Sequence, residues 1–304
     1  MKNRFQYAPI IIFSYNRLHH LKRTIINLKK NSISKYSSLI IFSDGPKSPL
    51  DKLKIKEIRQ YIKSIEGFKE IKCINRRINF GLSKNIITGL NKVFRKYERA
   101  IILEDDILVD KFFLKYMNEG LSLYKSDKRI ASIHGYIYPI KFDKNIKDYF
   151  FLKGADCWGW GTWKRAWKVF DKHGKKLINK IDQKSLKHEF NFNNTYDYYQ
   201  MLNNQIKGKN NSWAIRWYAS AFLKNMLTLY PSKTFVRNIG IDGSGTHGKG
   251  NNNLNNKKFS RKKYFEIRKS NIIIEENMKA KNKIAIYFKK NEDIWLKKIL
   301  KKIL

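Results

Sequence analysis

The chain has 304 residues, 42% hydrophobic and 14% aromatic, enough to bury a large core as one α/β domain or one domain with a tail. Its 64 Lys and Arg against 25 Asp and Glu give a formal charge of +39, which attracts nucleic acid, anionic membranes or phosphorylated substrates, although lysines accompanied by abundant Ile and Asn read mainly as a compositionally biased, solvated surface. The two cysteines, Cys73 and Cys157, exclude a disulfide framework or a cysteine-based zinc site and fit a reducing compartment.

The N-terminal residues lead into a short apolar strand without a signal-type apolar region, and no run approaches the roughly 20 apolar residues that cross a bilayer. The expectation is a protein neither secreted nor membrane-spanning. Residues 9–13 form a β-type run, and Leu18, Leu21, Ile25 and Leu28 follow at helical spacing. Residues 39–42 predict a second strand, closed by Ser-Asp-Gly-Pro at 43–46. Leu53, Ile58, Ile62 and Ile65 predict a helix leading to a short strand at 71–74. Asn79, Gly81 and Ser83 then supply turn and cap chemistry for a helix whose apolar face is Ile86, Ile87, Leu90, Val93 and Phe94. The fourth strand, 100–103, runs directly into Glu104, Asp105 and Asp106.

Alternating strands and helices of this length predict a mostly parallel sheet with helices on both faces and ligands beyond the strands' carboxyl ends. Three polar clusters stand at those ends: residues 14–17, 43–45 and 104–106. Three consecutive carboxylates repel one another, so a cation is expected to meet them. Mg²⁺ or Mn²⁺ suits the role, since both bind one or two protein carboxylates together with substrate phosphates.

The second half opens with a predicted strand at 130–133. Residues 153–163 then set Trp158, Trp160 and Trp163 among Gly154, Gly159 and Gly161, which suits a sugar-stacking platform with at least one Trp turned into a core corner. Helices are predicted at 196–207 and 213–224, and a strand at 227–230. The Gly-rich run 239–248, containing His247, reads as a lid. Beyond about residue 250 the chain is Asn- and Lys-rich, with no clear core-forming period until Ile294, Leu296, Ile299, Leu300, Ile303 and Leu304 line up opposite Lys297, Lys298, Lys301 and Lys302. Such a basic amphipathic helix lies on an anionic membrane or packs back on the domain.

In their order these segments resemble the GT-A nucleotide-sugar glycosyltransferases, in particular the bacterial family 2-like sugar transferases and the N-acetylglucosaminyltransferase I family. The resemblance runs from about residue 8 to about residue 248. Residues 10–17 look like the first nucleotide-binding strand and loop, Phe42-Ser43-Asp44-Gly45 like the second, and Glu104-Asp105-Asp106 like the Glu-Asp-Asp form of the Asp-x-Asp metal motif. Phe112-Phe113, the Trp-Gly-Trp region and Thr246-His247-Gly248 follow in the family's order. What the resemblance implies is an α/β, Rossmann-like GT-A domain at 1–250, with a nucleotide-binding half at about 1–110 and an acceptor half at 111–250, followed by a basic helical tail at 251–304.

It also implies site roles. Asp44 would hold the base or ribose beside Ser14, Tyr15, Asn16 and Arg17; Glu104 and Asp105 would contact ribose or donor sugar; Asp106 would be the principal metal ligand and His247 a loop ligand of metal or diphosphate. Lys84, at a helix start, is a further nucleotide contact. One departure stands out. Where the N-acetylglucosaminyltransferase I family carries a base next to a Trp, this chain reads Trp213-Ala214-Ile215-Arg216-Trp217, without a carboxylate. An inverting transfer needs a base at the acceptor hydroxyl, so Asp156, Asp197 and Asp242 are the candidates, with Asp156 favoured because an acceptor sugar could stack beside it.

The expected function is metal-dependent, inverting transfer from a nucleoside-diphosphate sugar to a saccharide or lipid-linked saccharide, in bacterial surface polysaccharide or lipooligosaccharide synthesis. The expected place is the cytoplasm, peripheral on the inner membrane face. The enzymatic alternative is a sugar nucleotidyltransferase, which would not need the Trp platform. From another class, a non-catalytic polyanion-binding protein would account for the charge and leave the strand-end acids unexplained.

Overall fold

A computed structural model of the chain describes residues 6–242, 259, 263, 264, 266–268 and 272–303, the last twelve as backbone. Three βα units and a fourth strand open the fold: β1 (Ile10–Ser14), α1 (Leu18–Lys29), β2 (Ser38–Ser43), α2 (Pro49–Lys63), β3 (Glu70–Asn75), α3 (Gly81–Lys96) and β4 (Arg99–Glu104). β1 is buried along its whole length, which is why it reads as a continuous apolar run instead of an alternating one. α2 starts where Ser48 and Asp51 form a reciprocal capping box with Pro49 in the first turn.

The remaining elements are β5 (Ile107–Val109), α4 (Phe113–Leu123), β6 (Ile130–His134), β7 (Tyr149–Lys153), β8 (Trp160–Trp163), α5 (Lys164–Trp167), α6 (Gly174–Gln183), α7 (Lys187–Phe190), α8 (Tyr198–Ile206), α9 (Trp213–Leu223), β9 (Leu227–Pro231), β10 (Val236–Asn238) and α10 (Met278–Ile303). An eight-stranded sheet has the order β3-β2-β1-β4-β8-β6-β9-β7, with β8 and β7 running against the other six. The predicted mostly parallel α/β sheet flanked by helices is therefore present. Register brings the strand ends level, since Ser14 pairs with Ser43 and Phe13 with Glu104.

Two parts differ from the sequence reading. The Trp-Gly-Trp segment runs at Trp160 into a central strand, β8, inserted antiparallel between β4 and β6. Trp160 and Trp163 are core residues; Trp160 stacks on Trp213 with centroids 5.6 Å apart and leans on Trp217 at 5.9 Å. Only Trp158 of the three is half-exposed. Both faces of β8 are covered, so no alternation marks it as a strand.

The other difference lies in the tail. Ala280, Ile284 and Phe288 are buried with Ile137, Ile146, Phe150 and Leu152. Glu276 bridges to Phe151 of β7 and pairs at 3.0 Å with Lys281, both side chains nearly buried. A stripe repeating every fourth residue was hidden among lysines, so the first turns of α10 are packed structure. No helix among the described residues is long and apolar enough to cross a membrane.

Candidate active site

The loops after β1, β2 and β4 continue the sheet's pairing one step beyond the strands: Asp44 N–H donates to Ser14 O at 2.9 Å and Asp105 N–H to Phe13 O at 3.1 Å. Their polar side chains are thereby gathered on one edge. Asp44 is buried, and its Oδ1 accepts N–H groups from Gly45 at 2.9 Å and Phe80 at 2.8 Å. A side chain at position 45 would collide with the Ile78 carbonyl, so glycine lets the 78–80 turn close over Asp44. Lys84, in the first turn of α3, holds its ammonium 4.6 Å from the centre of the Phe80 ring.

Arg17 closes the acidic cluster. Its Nη2 donates to Asp105 Oδ1 at 2.6 Å and to Asp106 Oδ2 at 2.8 Å, with Arg17 19% and the two carboxylates 3% and 9% exposed. Burial works against the guanidinium's charge, but Asp105 and Asp106 outweigh it and raise its pKa above the usual value. The Asp105 carboxyl is raised by burial against the opposing pull of Arg17, with Asp106 adding to the rise. Glu104, at the end of β4, is pushed up to about 8 by desolvation and then by Asp106 and Asp105. The cation that meets these acids in the structure is thus an arginine 88 and 89 residues away in sequence.

The neighbouring loop is pinned as well. Asp51 accepts from Tyr15 Oη at 2.7 Å, Asn16 Nδ2 at 2.8 Å and Ser48 Oγ at 2.8 Å, and its pKa falls far below the carboxylate range as a result. Tyr15 is pushed up to about 12, by burial first and by Asp51 second. Because the charged form of Asp51 is favoured in the folded state, its contribution is present above its ordinary pKa and lost as pH falls. Replacing Asp51 with Ala is expected to release the 14–17 loop: amide exchange there should speed up, while the far edge of the sheet keeps its protection.

Could a divalent ion fit? Asp106 Oδ1 is buried and has no hydrogen-bond partner among the described residues, a condition that costs free energy unless something positive reaches it. No group of three or more His, Cys, Asp or Glu placed to hold a metal occurs among the described residues. Mg²⁺ and Mn²⁺ do not require one, since a single carboxylate with substrate phosphates and water is a common set. The residues present therefore fit such an ion at Asp106, while His247 lies outside the described residues.

β10 pairs with β5 and brings Ile239 and Gly240 onto the acids: Ile239 N–H donates to Asp106 O at 2.9 Å. A Cβ on Gly240 would collide with Asp106 Oδ2 and lie 2.9 Å from Arg17 Nη1. Gly240→Ala is expected to cost roughly 1–3 kcal/mol in denaturant unfolding, the usual range for overpacking. Wild-type stability would mean that Gly240 does not approach Asp106 closely.

The three proposed bases stand in different surroundings. Asp197 caps α8, accepting from Gln200 N–H at 2.9 Å and Asn191 Nδ2 at 3.2 Å. Asp242 meets His20 Nε2 at 3.0 Å, beside the acidic cluster. Asp156 is half-exposed and its Oδ2 accepts from Tyr230 Oη at 3.3 Å. Burial pushes the Cys157 thiol well up, and the charges of Asp156, Glu104 and Asp106 add to the rise. Trp213, Ile215, Arg216 and Trp217 of α9 are buried, with Arg216 donating to Ser83 Oγ at 2.7 Å. Sequence reading missed Asp51 and His20 as parts of the site; no local pattern marks a partner more than thirty residues away.

No family model and no curated protein matches the chain. Among solved structures, mannosyltransferase PcManGT from Pyrobaculum calidifontis, in complex with GDP-Man and Mn²⁺, is 11% identical with a TM-score of 0.31, over 44% of this chain and 37% of that one. S. aureus TarS 1-349 in complex with UDP-GlcNAc is 16% identical with a TM-score of 0.34, over 45% and 38%. A further structure of TarS 1-349 gives 15%, 0.36, 58% and 49%. The chain thus spans less than half the length of each of them.

Proposed function

We propose that the chain is a glycosyltransferase that uses a nucleoside-diphosphate sugar, with Mn²⁺ or Mg²⁺ held by Asp106 and, from the glycine-rich run, His247. The observation that carries this reading is the buried Asp106 Oδ1, without a hydrogen-bond partner among the described residues, beside Asp105 and Glu104 and level with Asp44 and the 14–17 loop. When bound, the ion would neutralise charge developing on the departing diphosphate. Asp44 holds base or ribose, with Ser14, Tyr15, Asn16 and Lys84 beside it. Glu104 and Asp105 take hydroxyls of ribose or donor sugar, and Arg17 keeps the acids together and offers its guanidinium to the diphosphate.

Inversion follows from a base opposite the leaving group. Asp156 takes the proton of an acceptor hydroxyl, the acceptor oxygen bonds to the anomeric carbon, and the bond from that carbon to the diphosphate oxygen breaks. Asp156 is preferred to Asp197, which is engaged as a helix cap, and to Asp242, which is engaged with His20. Thermal-shift measurements with a panel of nucleotide sugars, with and without Mn²⁺, test the donor half. A metal-dependent rise in melting temperature is expected, and none with any donor would end the reading.

We place the acceptor among saccharides or lipid-linked saccharides of surface polysaccharide synthesis, with the enzyme peripheral on the inner membrane face. The basis is the sequence of 291–304, where apolar residues face four lysines, each worth roughly 1 kcal/mol near an anionic surface. Truncation after Lys290 keeps Ala280, Ile284 and Phe288 in the core. It is expected to weaken sedimentation with anionic vesicles, most at low salt, and to leave turnover of a soluble acceptor unchanged. Unaltered vesicle binding would refute the tether.

A further inference from the structure

Asp156 is half-exposed, accepts from Tyr230 Oη at 3.3 Å and acts electrostatically on Tyr136, Tyr138, Tyr196 and Tyr198, which belong to an arc of aromatic rings drawn from four separate parts of the chain. Trp158 meets Tyr136 edge-on at 4.8 Å, Tyr136 meets Tyr138 at 5.4 Å, and Tyr138 reaches α10, touching Tyr287 at 5.6 Å and Phe288 at 4.8 Å. Phe288 continues to Tyr196 at 5.1 Å, which leans on Tyr198 at 4.5 Å. An aromatic core would be sealed and would exclude a carboxylate. Here Tyr136, Tyr138, Trp158, Tyr198 and Tyr287 are all half-exposed and Tyr196 is 46% exposed, around an acid.

We propose that this arc is a subsite for the pyranose ring of a saccharide acceptor, and that the first three turns of α10 form one of its walls. The inference rests on the glycosyl-transfer reading and names where its acceptor binds. A pyranose presents an apolar C–H face and a rim of hydroxyls; aromatic plates suit the first, and phenol donors with one carboxylate acceptor suit the second. Burial first, then Tyr287 for Tyr136 and Tyr198 for Tyr138, with Asp156 after them, pushes both phenols up, so both keep their protons at neutral pH. Gly154, at φ +88°, allows Tyr218 to pack beneath the turn that carries Asp156, because a Cβ there would strike the Tyr218 ring.

The wall is rigid. Glu276 accepts the Lys153 N–H at 3.1 Å and pairs with Lys281, while Ala280 and Ile284 sit in the core below. Tyr287 and Phe288 are thus held in place before any ligand arrives, which lowers the ordering cost of binding.

The test uses saturation-transfer NMR on the full chain with methyl glycopyranosides of glucose, galactose, mannose and N-acetylglucosamine, comparing wild type, Tyr287→Phe, Tyr287→Leu and, as a remote control, Tyr36→Leu. At least one glycoside is expected to receive saturation on its ring C–H protons. Its affinity should fall about fivefold in Tyr287→Leu, the loss of one aromatic contact, and persist in Tyr287→Phe and Tyr36→Leu. Calorimetry of nucleoside diphosphate with Mn²⁺ on the same proteins separates the two readings, since donor binding should be equal in all four. Absence of saturation transfer from wild type to every glycoside, or equal affinity in Tyr287→Leu, overturns the subsite even where nucleotide binds normally. Glycoside binding sensitive to Tyr287 without nucleotide binding leaves the subsite standing and removes the transferase.

Discussion

Asp106→Ala is expected to abolish the enhancement of nucleoside-diphosphate binding by Mn²⁺ or Mg²⁺. Asp106 would hold the ion, whose positive charge would offset that of the diphosphate, and charge neutralisation of that kind is worth several kcal/mol, so the loss should be on the order of 10²–10³-fold in affinity or turnover. The fold should survive, because Arg17 keeps its bond to Asp105 and one of three mutually repelling acids is gone. Calorimetric titrations with and without metal decide the matter. Metal-enhanced affinity equal to wild type would take Asp106 out of the ion's coordination and with it the main reason for a transferase.

Arg17→Met should be the most destabilising single change at the site. It leaves Asp105 and Asp106 buried without their cation, and breaking a buried pair from one side costs about 3–5 kcal/mol. Urea unfolding at neutral pH measures the loss, and a cost below 1 kcal/mol would mean that water already solvates the pair. The pH dependence has a definite sign. In the folded state Glu104 titrates near 8 instead of its ordinary 4.5, so the folded chain binds that proton more tightly than the unfolded one. Its contribution to stability is full below the ordinary value and is lost as pH rises towards 8. Without Arg17 that loss should steepen, because Glu104 and Asp105 both lose an opposing cation. The variant should recover part of its deficit at pH 5.

The first half of the fold was legible because its signals are local. A buried parallel strand is a continuous apolar run, a covering helix repeats its apolar residues every three or four positions, and Glu104, Asp105 and Asp106 stand where such a run stops. Those patterns were enough to expect the parallel sheet and the three polar strand ends. β8 was hidden because glycines and tryptophans covered on both faces show no period of two. The packed start of α10 was hidden because its stripe of Ala280, Ile284 and Phe288 is narrow and flanked by lysines, whose long side chains remain at the surface.

The sequence by itself determined where the acids lie on the chain and that something cationic must meet them, since like charges cannot share a dry site. Only the tertiary structure decided that Arg17 supplies that charge, that Asp106 retains an oxygen without a partner among the described residues, and that the aromatic rings near Asp156 come together from residues 136–138, 158, 196–198 and 287–288. Local periodicity reports which face a residue presents; what that face meets is fixed by the order of strands in the sheet and the packing of distant helices.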